Sequence, residues 1–192
     1  APAQSGTDQV LIQATRSGNV ISASAALAAD TTATGKDFAG SVSINRVIDT
    51  TEALIDSAAI TQAGNVGVEA EDEAQIIAVG GAASFTRGSL GVGASIGFNQ
   101  IAADTEAAIT GSLARSELTL DGNLTVDAEN DNIISAIGVS GGVATGEDSN
   151  AAAFTIGINI ISSSPSVFDS GNGAAIVAEI ENADVTAGGN VS

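Results

Sequence analysis

The strongest constraint on the fold of this chain is a sequence unit that occurs three times in succession. Gly-Asn followed by an apolar residue recurs at 64–66, 122–124 and 189–191. These boundaries give a lead-in at 1–9, units at 10–65, 66–123 and 124–190, and the start of a further unit at 191–192. Because Gly and Asn both tolerate positive φ, a turn is expected at each boundary. Such a repeat indicates units that stack on one another.

Each unit opens with alternating apolar residues, the pattern of a strand with one buried face. After a polar stretch, a second strand is predicted to begin at Val20, Ile76 and Ile133. It leads into a polar turn at 32–37, 86–88 and 145–150. Variable length between fixed strands predicts a solvent-exposed hairpin tip. The opening positions are Val10, Ile12 and Ala14; Val66, Val68 and Ala70; and Leu124, Val126 and Ala128.

The strand that returns from this tip is the best-matched segment, aligning 40–45 with 94–99 and 154–159. Its large residues, such as Val42 and Ile44, are predicted to mark the core side. The opposite side carries Ser, Gly, Thr and a recurring Asn. This side of the strand either faces water or lets a second sheet approach closely.

A fourth segment begins with Thr-Glu-Ala at 51–53 and 105–107, and the third unit replaces it with an insertion around Pro165. From there the second and third units align without gaps: Ile109, Leu113, Leu118 and Gly122 match Ile176, Ile180, Val185 and Gly189. The first unit is interpreted as four residues shorter in this segment. A helix over 51–59 and 102–114 is the alternative, because Ala, Leu and Glu favour helix. Gly111 and the β-branched residues favour strand.

Composition excludes several functions. The chain has no Cys and no His, so disulfides, Cys-based zinc sites and the commonest general base are ruled out. A net charge of −18, with five basic residues, argues against nucleic acid and anionic membranes as partners. No run of 18 apolar residues predicts a membrane-spanning helix, so membrane insertion is not expected.

These patterns predict an all-β, elongated β-solenoid of three repeats of 56 to 67 residues, with projecting hairpins. A β-sandwich or prism of long hairpins is the alternative. Three sequence patterns of this chain resemble those of the repetitive stalks of large secreted bacterial surface proteins. They are Gly97-x-Asn99-x-Ile101, Thr105-Glu106-Ala107-x-Ile109 and Gly64-Asn65-Val66-x-Val68. These are the filamentous-haemagglutinin-like and leukotoxin-like filamentous adhesins. The resemblance implies an extended β-helical region at the surface of a Gram-negative cell.

Two acidic clusters are predicted to lie in equivalent strand-to-strand connections, and their oxygen ligands make calcium binding a hypothesis. A solvated, repulsive surface is the favoured interpretation, because the first unit has Thr15, Arg16 and Ser17 there. No other cofactor is expected. The metal-ligand candidates are Glu69, Glu71, Asp72, Glu73, Asp127, Glu129 and Asp131.

The recurring Asn residues are interpreted as structural ladders, because repeats place equivalent amides in one line. They are Asn45, Asn99 and Asn159 in the return strand, and Asn65, Asn123 and Asn190 at the unit boundaries. If the chain binds a ligand, the variable segments are expected to contact it. The binding candidates are Thr86, Arg87, Ser162, Ser163, Ser164 and Pro165.

Three functions are weighed. The favoured one is a non-catalytic stalk or filament segment of an extracellular bacterial adhesin, whose partners are neighbouring repeats or identical subunits joined at strand edges. The alternative is a module that binds glycans or host proteins through its variable loops. A carbohydrate-active enzyme with Glu52 and Glu106 is disfavoured, because these carboxylates recur at matched positions.

Overall fold

The computed structural model describes residues 9–162 and 176–192, and Ser163, Ser164 and Pro165 lie outside them. Strands make up 81% of the structure and no helix occurs in the described ranges. The all-β prediction is therefore confirmed. The strands are β1 Gln9–Asp30, β2 Lys36–Asp56, β3 Ala59–Ala63, β4 Asn65–Thr86, β5 Leu90–Thr110, β6 Ser116–Leu120, β7 Leu124–Asn130, β8 Ile133–Ala144, β9 Asn150–Ser162, β10 Ile176–Ile180 and β11 Ala183–Ala187.

All strand pairs in the described part of the chain are parallel, and they form three sheets. Sheet A contains β1, β4, β7 and β8; sheet B contains β2, β5, β9 and β10; sheet C contains β3, β6 and β11. The turn after Asp30 joins β1 in sheet A to β2 in sheet B, and each of these strands pairs with a strand of the next unit. The predicted hairpins are therefore wrong, because the two strands that flank each turn belong to different sheets.

The strand register reproduces most of the sequence alignment. Val66 pairs with both Val10 and Leu124, and Asn99 pairs with both Asn45 and Asn159. Val191 forms a parallel bridge with Leu124. The return strand, aligned from sequence at 40–45, 94–99 and 154–159, pairs residue for residue in that register.

Two parts of the alignment are wrong. Ile76 pairs with Ile134 and not with Ile133, because the register that pairs Val66 with Leu124 continues unshifted through the break between β7 and β8. Ile180, not Ile176, is the partner of Ile109. The segment after β5, from Gly111 to β6, is longer than the matching turns of the first and third units, so the four-residue difference is an extension of the second unit.

The half of the molecule that contains sheet C has an apolar core. We call it the base, comprising 9–19, 47–75, 101–133 and 176–192. Val68, Ile109, Leu118 and Leu124 are at most 1% exposed and belong to one cluster to which all three sheets contribute. The clean alternation of β1 and β4 explains the core, because every second residue points between the sheets.

The other half of the molecule consists of sheets A and B alone, lying face to face. We call it the arm, comprising 20–46, 76–100 and 134–160. Here the predicted faces are inverted: Val42 and Ile44 are 64% and 71% exposed, whereas Ser41 and Ser43 are buried. Beyond the apolar cluster around Ile76, the two sheets approach too closely for large side chains. A Cβ on Gly138 would lie 2.2 Å from Thr155 Cγ2 in the facing sheet.

The Gly-Asn boundaries also differ from expectation. None of the described glycines has positive φ, so conformational freedom is not why glycine occurs there. A Cβ on Gly122 would lie 2.3 Å from Asn65 Oδ1 and 2.5 Å from the Gly64 carbonyl oxygen of the preceding unit. Glycine is required because successive units touch at this point.

Candidate functional surfaces

The row of amides inside the arm is continuous. Asn45 Nδ2 donates to Asn99 Oδ1 at 2.7 Å, and Asn99 Nδ2 donates to Asn159 Oδ1 at 2.8 Å. Asn99 is fully buried, so each of these hydrogen bonds replaces one lost to water. The same arrangement in three paired strands ties the units together.

A second row lies at the unit boundaries, but it joins side chains to backbone. The Asn65 Oδ1 atom accepts from the Asn123 backbone N–H at 2.8 Å, and the Asn123 Oδ1 atom accepts from the Asn190 backbone N–H at 2.9 Å. These three residues therefore contact one another through the stacking of units.

The rest of the arm interior is lined mainly by small side chains, which are alanines such as Ala39 and Ala82 as well as hydroxyls. Ser22 and Ser43 hydroxyls lie 3.3 Å apart across the two sheets, and those of Ser140 and Thr155 lie 2.8 Å apart. A small cavity of about 60 Å³ lies beside Gly97. Hydroxyls and glycines make this interface thin and polar, unlike the apolar core of the base.

A charged layer separates the interior of the arm from that of the base. Arg16 of sheet A forms an ion pair with Asp49 of sheet B, and its Nη1 atom lies 3.4 Å from Asp72 Oδ2. Asp72 is fully buried and also accepts a hydrogen bond from Thr51 Oγ1 at 3.1 Å. In the next unit Asn130 occupies the position of Asp72, and its Nδ2 atom lies 3.3 Å from Thr105 Oγ1.

The acidic residues proposed as metal ligands do not form one group. Glu69, Glu71 and Glu73 are outward positions within β4, where the sequence predicted a connection, whereas Asp72 points inward to Arg16. Asp127 pairs beside Glu69 and Glu129 beside Glu71 on the outer face of sheet A. Asp131 lies in the short break between β7 and β8. Within 9–162 and 176–192 no three acidic side chains are arranged to hold a metal ion.

Two carboxylates of the base have shifted pKa values. Hydrogen bonds from the Ser112 backbone N–H and hydroxyl lower the pKa of Asp56 to about 2. Burial, followed by the charges of Glu52 and Glu179, raises the pKa of Glu106. Glu52 and Glu106 lie directly opposite each other in paired strands, which is an unfavourable position for like charges.

The tip of the arm consists of the three turns stacked on one another. The Arg87 backbone N–H donates to the Asp30 carbonyl at 3.0 Å, and the Thr145 N–H donates to the Thr86 carbonyl at 3.1 Å. Arg87 is exposed, but Thr86 is fully buried and its hydroxyl accepts from the Gly88 N–H. Thr86 therefore closes the turn from inside. Ser162, the last residue of β9, is partly buried.

The outer surfaces of the arm are the feature that sequence reasoning missed. Face A consists of every second residue from Ile21 to Ala29, from Ile77 to Phe85 and from Ser135 to Val143. Face B consists of every second residue from Phe38 to Ile44, from Val92 to Phe98 and from Ala152 to Ile158. Neither face contains a charged residue, and Ser135 is their only polar residue. The sequence signal for these faces was the alternation of large apolar residues with Ser and Gly in all three units.

Comparison of the chain with protein-family models, with curated proteins and with solved structures gives no match. Among the described residues there is no helix long and apolar enough to cross a membrane.

Proposed function

We propose that this chain is a structural segment of a longer extracellular bacterial surface protein, a β-solenoid whose three repeats stack as part of a stalk or filament. Its role is non-catalytic: it supplies length, stiffness and resistance to proteolysis. The observation that carries the proposal is the parallel register, which pairs Val66 with Val10 and Leu124, and Asn99 with Asn45 and Asn159.

The recurrence of polar contacts supports a structural role. The amide row and the boundary row both repeat between successive units. A catalytic site is usually a single departure from such a pattern, whereas Glu52 and Glu106 are paired copies of one position. The acidic surface of the base keeps a β-rich chain dispersed in water.

Protection of the backbone tests the structural proposal. We expect the slowest amide hydrogen exchange in β4 and β5, because these strands are paired on both sides. Incubation with a broad-specificity protease should leave 65–110 intact after long exposure. Rapid exchange or early cleavage inside β4 or β5 would contradict a rigid stacked segment.

A binding module is the second candidate, and the stacked tip favours it. The three turns bring Lys36, Arg87, Glu147 and Asp148 to the far end of the arm, where exposed side chains differ between units. Glycan and host-protein arrays should be probed with the wild-type chain, with Arg87→Ala, and with residues 162–173 deleted. Binding that either change abolishes would support recognition; the structural proposal predicts no such binding.

Calcium binding remains a hypothesis, and melting curves test it. Loss of a bound ion lowers stability according to its affinity. If the outer acidic residues hold calcium, EDTA should lower the melting temperature and added calcium should restore it. The variant Glu71→Gln with Glu129→Gln should then be insensitive to both. An unchanged melting curve would indicate that these residues form a solvated, charged surface and do not bind calcium.

A further inference from the structure

The two outer faces of the arm are unusual for a protein with a net charge of −18. On face A, Ile21 and Leu27 of the edge strand are 76% and 80% exposed, and Ile137 and Val139 on the opposite edge are 62% and 64% exposed. On face B, Phe38 is 65% exposed and Val42 is 64% exposed. Contiguous apolar surface of this kind marks a surface that another molecule covers.

From these observations we propose that second copies of this chain cover both faces, so that the arms of neighbouring molecules pack sheet face against sheet face. This contact is distinct from strand-edge pairing, and it does not depend on the function proposed above. It buries side chains that one copy alone leaves in water.

The size of each face matches a protein interface. Seven large apolar side chains on each face are 39% to 80% exposed. At about 60–120 Å² for each large apolar side chain removed from water, one face presents on the order of 500 Å². Two such faces in contact bury about 1,000 Å² in total, which reaches the lower range of specific interfaces. Their shape is also suitable, because extended sheets pack face to face in β-sandwiches.

The distribution of charge determines how the copies are arranged. Most outward acidic residues, such as Glu52, Glu71 and Glu129, belong to the base, whereas the two arm faces carry no charge and Glu147 and Asp148 lie beyond them at the tip. Bases placed side by side would repel one another. The arms are therefore expected to overlap with their bases at opposite ends, and added salt should strengthen association by screening the remaining repulsion.

A lipid bilayer is the other apolar environment to consider, and the structure disfavours it. Within the described residues β1 and β8 pair only with β4, so each has one unpaired edge, and hydrocarbon would leave those backbone groups without hydrogen bonds. The tip, which bears Asp30, Lys36 and Asp148, would also have to enter the bilayer. A second copy covers the faces and leaves these edges and the tip in water.

Analytical ultracentrifugation of charge variants tests the proposal. Leu27→Asp with Ile137→Asp alters face A, and Val42→Asp with Ile156→Asp alters face B; all four residues are at least 47% exposed. The wild-type chain should form assemblies larger than dimers as its concentration rises. Each single-face variant should form nothing larger than a dimer, and the variant with both faces changed should be monomeric. Thr61→Asp with Thr119→Asp, exposed positions of sheet C, is the matched control and should associate like wild type.

Cysteine cross-linking gives an independent measurement that does not require the charge variants to fold. The chain has no Cys, so a single Val139→Cys should form disulfide-linked dimers readily, whereas Thr119→Cys on sheet C should not. A wild-type chain that stays monomeric at every concentration would overturn the proposal. So would association that survives changes to both faces, which would indicate edge pairing. Flotation of a monomeric chain with phosphatidylcholine vesicles would assign the faces to lipid instead.

Discussion

Close contact between successive units places strict limits on single residues, and Gly122 is the clearest case. The neighbouring Asn65 carboxamide occupies the space that a Cβ on residue 122 would need. The sequence predicted a turn glycine here because glycine tolerates positive φ, but none of the described glycines has positive φ. Intrinsic backbone preferences can be read from one unit, whereas a contact between units depends on the register of stacking.

We predict that Gly122→Ala destabilises the chain by about 1–3 kcal/mol, because the new methyl group forces the Gly-Asn boundary of one unit away from the next. Gly97→Ala is the matched control, since nothing lies within 4 Å of a Cβ there. The control should be neutral or stabilising by up to about 1 kcal/mol. Urea denaturation of both variants measures the difference, and equal stability would refute the contact.

The amide row leads to a second prediction at this scale. Asn99→Ala removes both hydrogen bonds of the central residue and leaves Asn45 Nδ2 and Asn159 Oδ1 without these partners. We expect a loss of about 1–3 kcal/mol, the cost of disrupting one buried hydrogen-bonded group, because Asn45 is buried whereas the exposed Asn159 regains water. Asn19→Ala, on an exposed position of sheet A, should change stability little. A similar midpoint for both variants in urea would contradict the ladder.

At the scale of secondary-structure elements, the turn after β2 is held in place by hydrogen bonds to one carboxylate, that of Asp56. Asp56 accepts hydrogen bonds from the Ser112 backbone N–H and from the Thr110 hydroxyl of the next unit. These contacts fix the turn of the first unit against the longer turn of the second. Because the pKa of Asp56 is lowered from 3.8 to about 2, the ionised form is the one that stabilises the fold.

This shift gives a pH prediction. The contribution of Asp56 is fully present above its unfolded pKa of 3.8 and is lost as the pH falls through about 2. Asp56→Asn should therefore lower stability at neutral pH and flatten the loss of stability between those two values. Asp121→Asn, at an exposed turn position, serves as the control. The comparison is made by urea unfolding at several pH values, and parallel curves for wild type and Asp56→Asn would argue against the capping role.

The strands themselves were largely predictable, but their faces in the arm were not. Alternation placed Val10, Val66 and Leu124 on one inner face, because period two requires it. The same alternation at Val42 and Ile44 was interpreted with the apolar side inward, as in most soluble sheets. Apart from the apolar cluster around Ile76 next to the base, the side chains between the sheets of the arm are mostly those of Ala, Ser, Gly, Thr and Asn, because the sheets lie close together. That spacing depends on the facing sheet, which local sequence does not encode.

Over the whole molecule, the long dimension runs along the strands. β1 has 22 residues, about 70 Å at 3.3 Å per residue, whereas the stacked strands of three units span only about 15 Å. The repeats predicted an elongated solenoid without fixing the direction of its long axis. Because each additional unit adds about 4.8 Å, three stacked units are shorter than one strand.

Small-angle X-ray scattering of the monomer tests this shape. A compact globule of 192 residues would have a radius of gyration of about 16 Å. A slab as long as β1 should give about 20–22 Å. The variant with both arm faces changed is the suitable sample if wild type associates. A value near that of a globule would rule out the extended arm.

The hydrogen bonds of the amide row all point the same way. Each Asn donates to the unit that follows it in sequence, from Asn45 to Asn99 and from Asn99 to Asn159. The two ends of the stack are therefore chemically unequal, since one end presents an acceptor where the other presents a donor. A unit added in the same orientation continues the row of hydrogen bonds, whereas an inverted unit would place donor against donor or acceptor against acceptor. Growth along this axis consequently has a direction, and the side-chain amides of each repeat reinforce it.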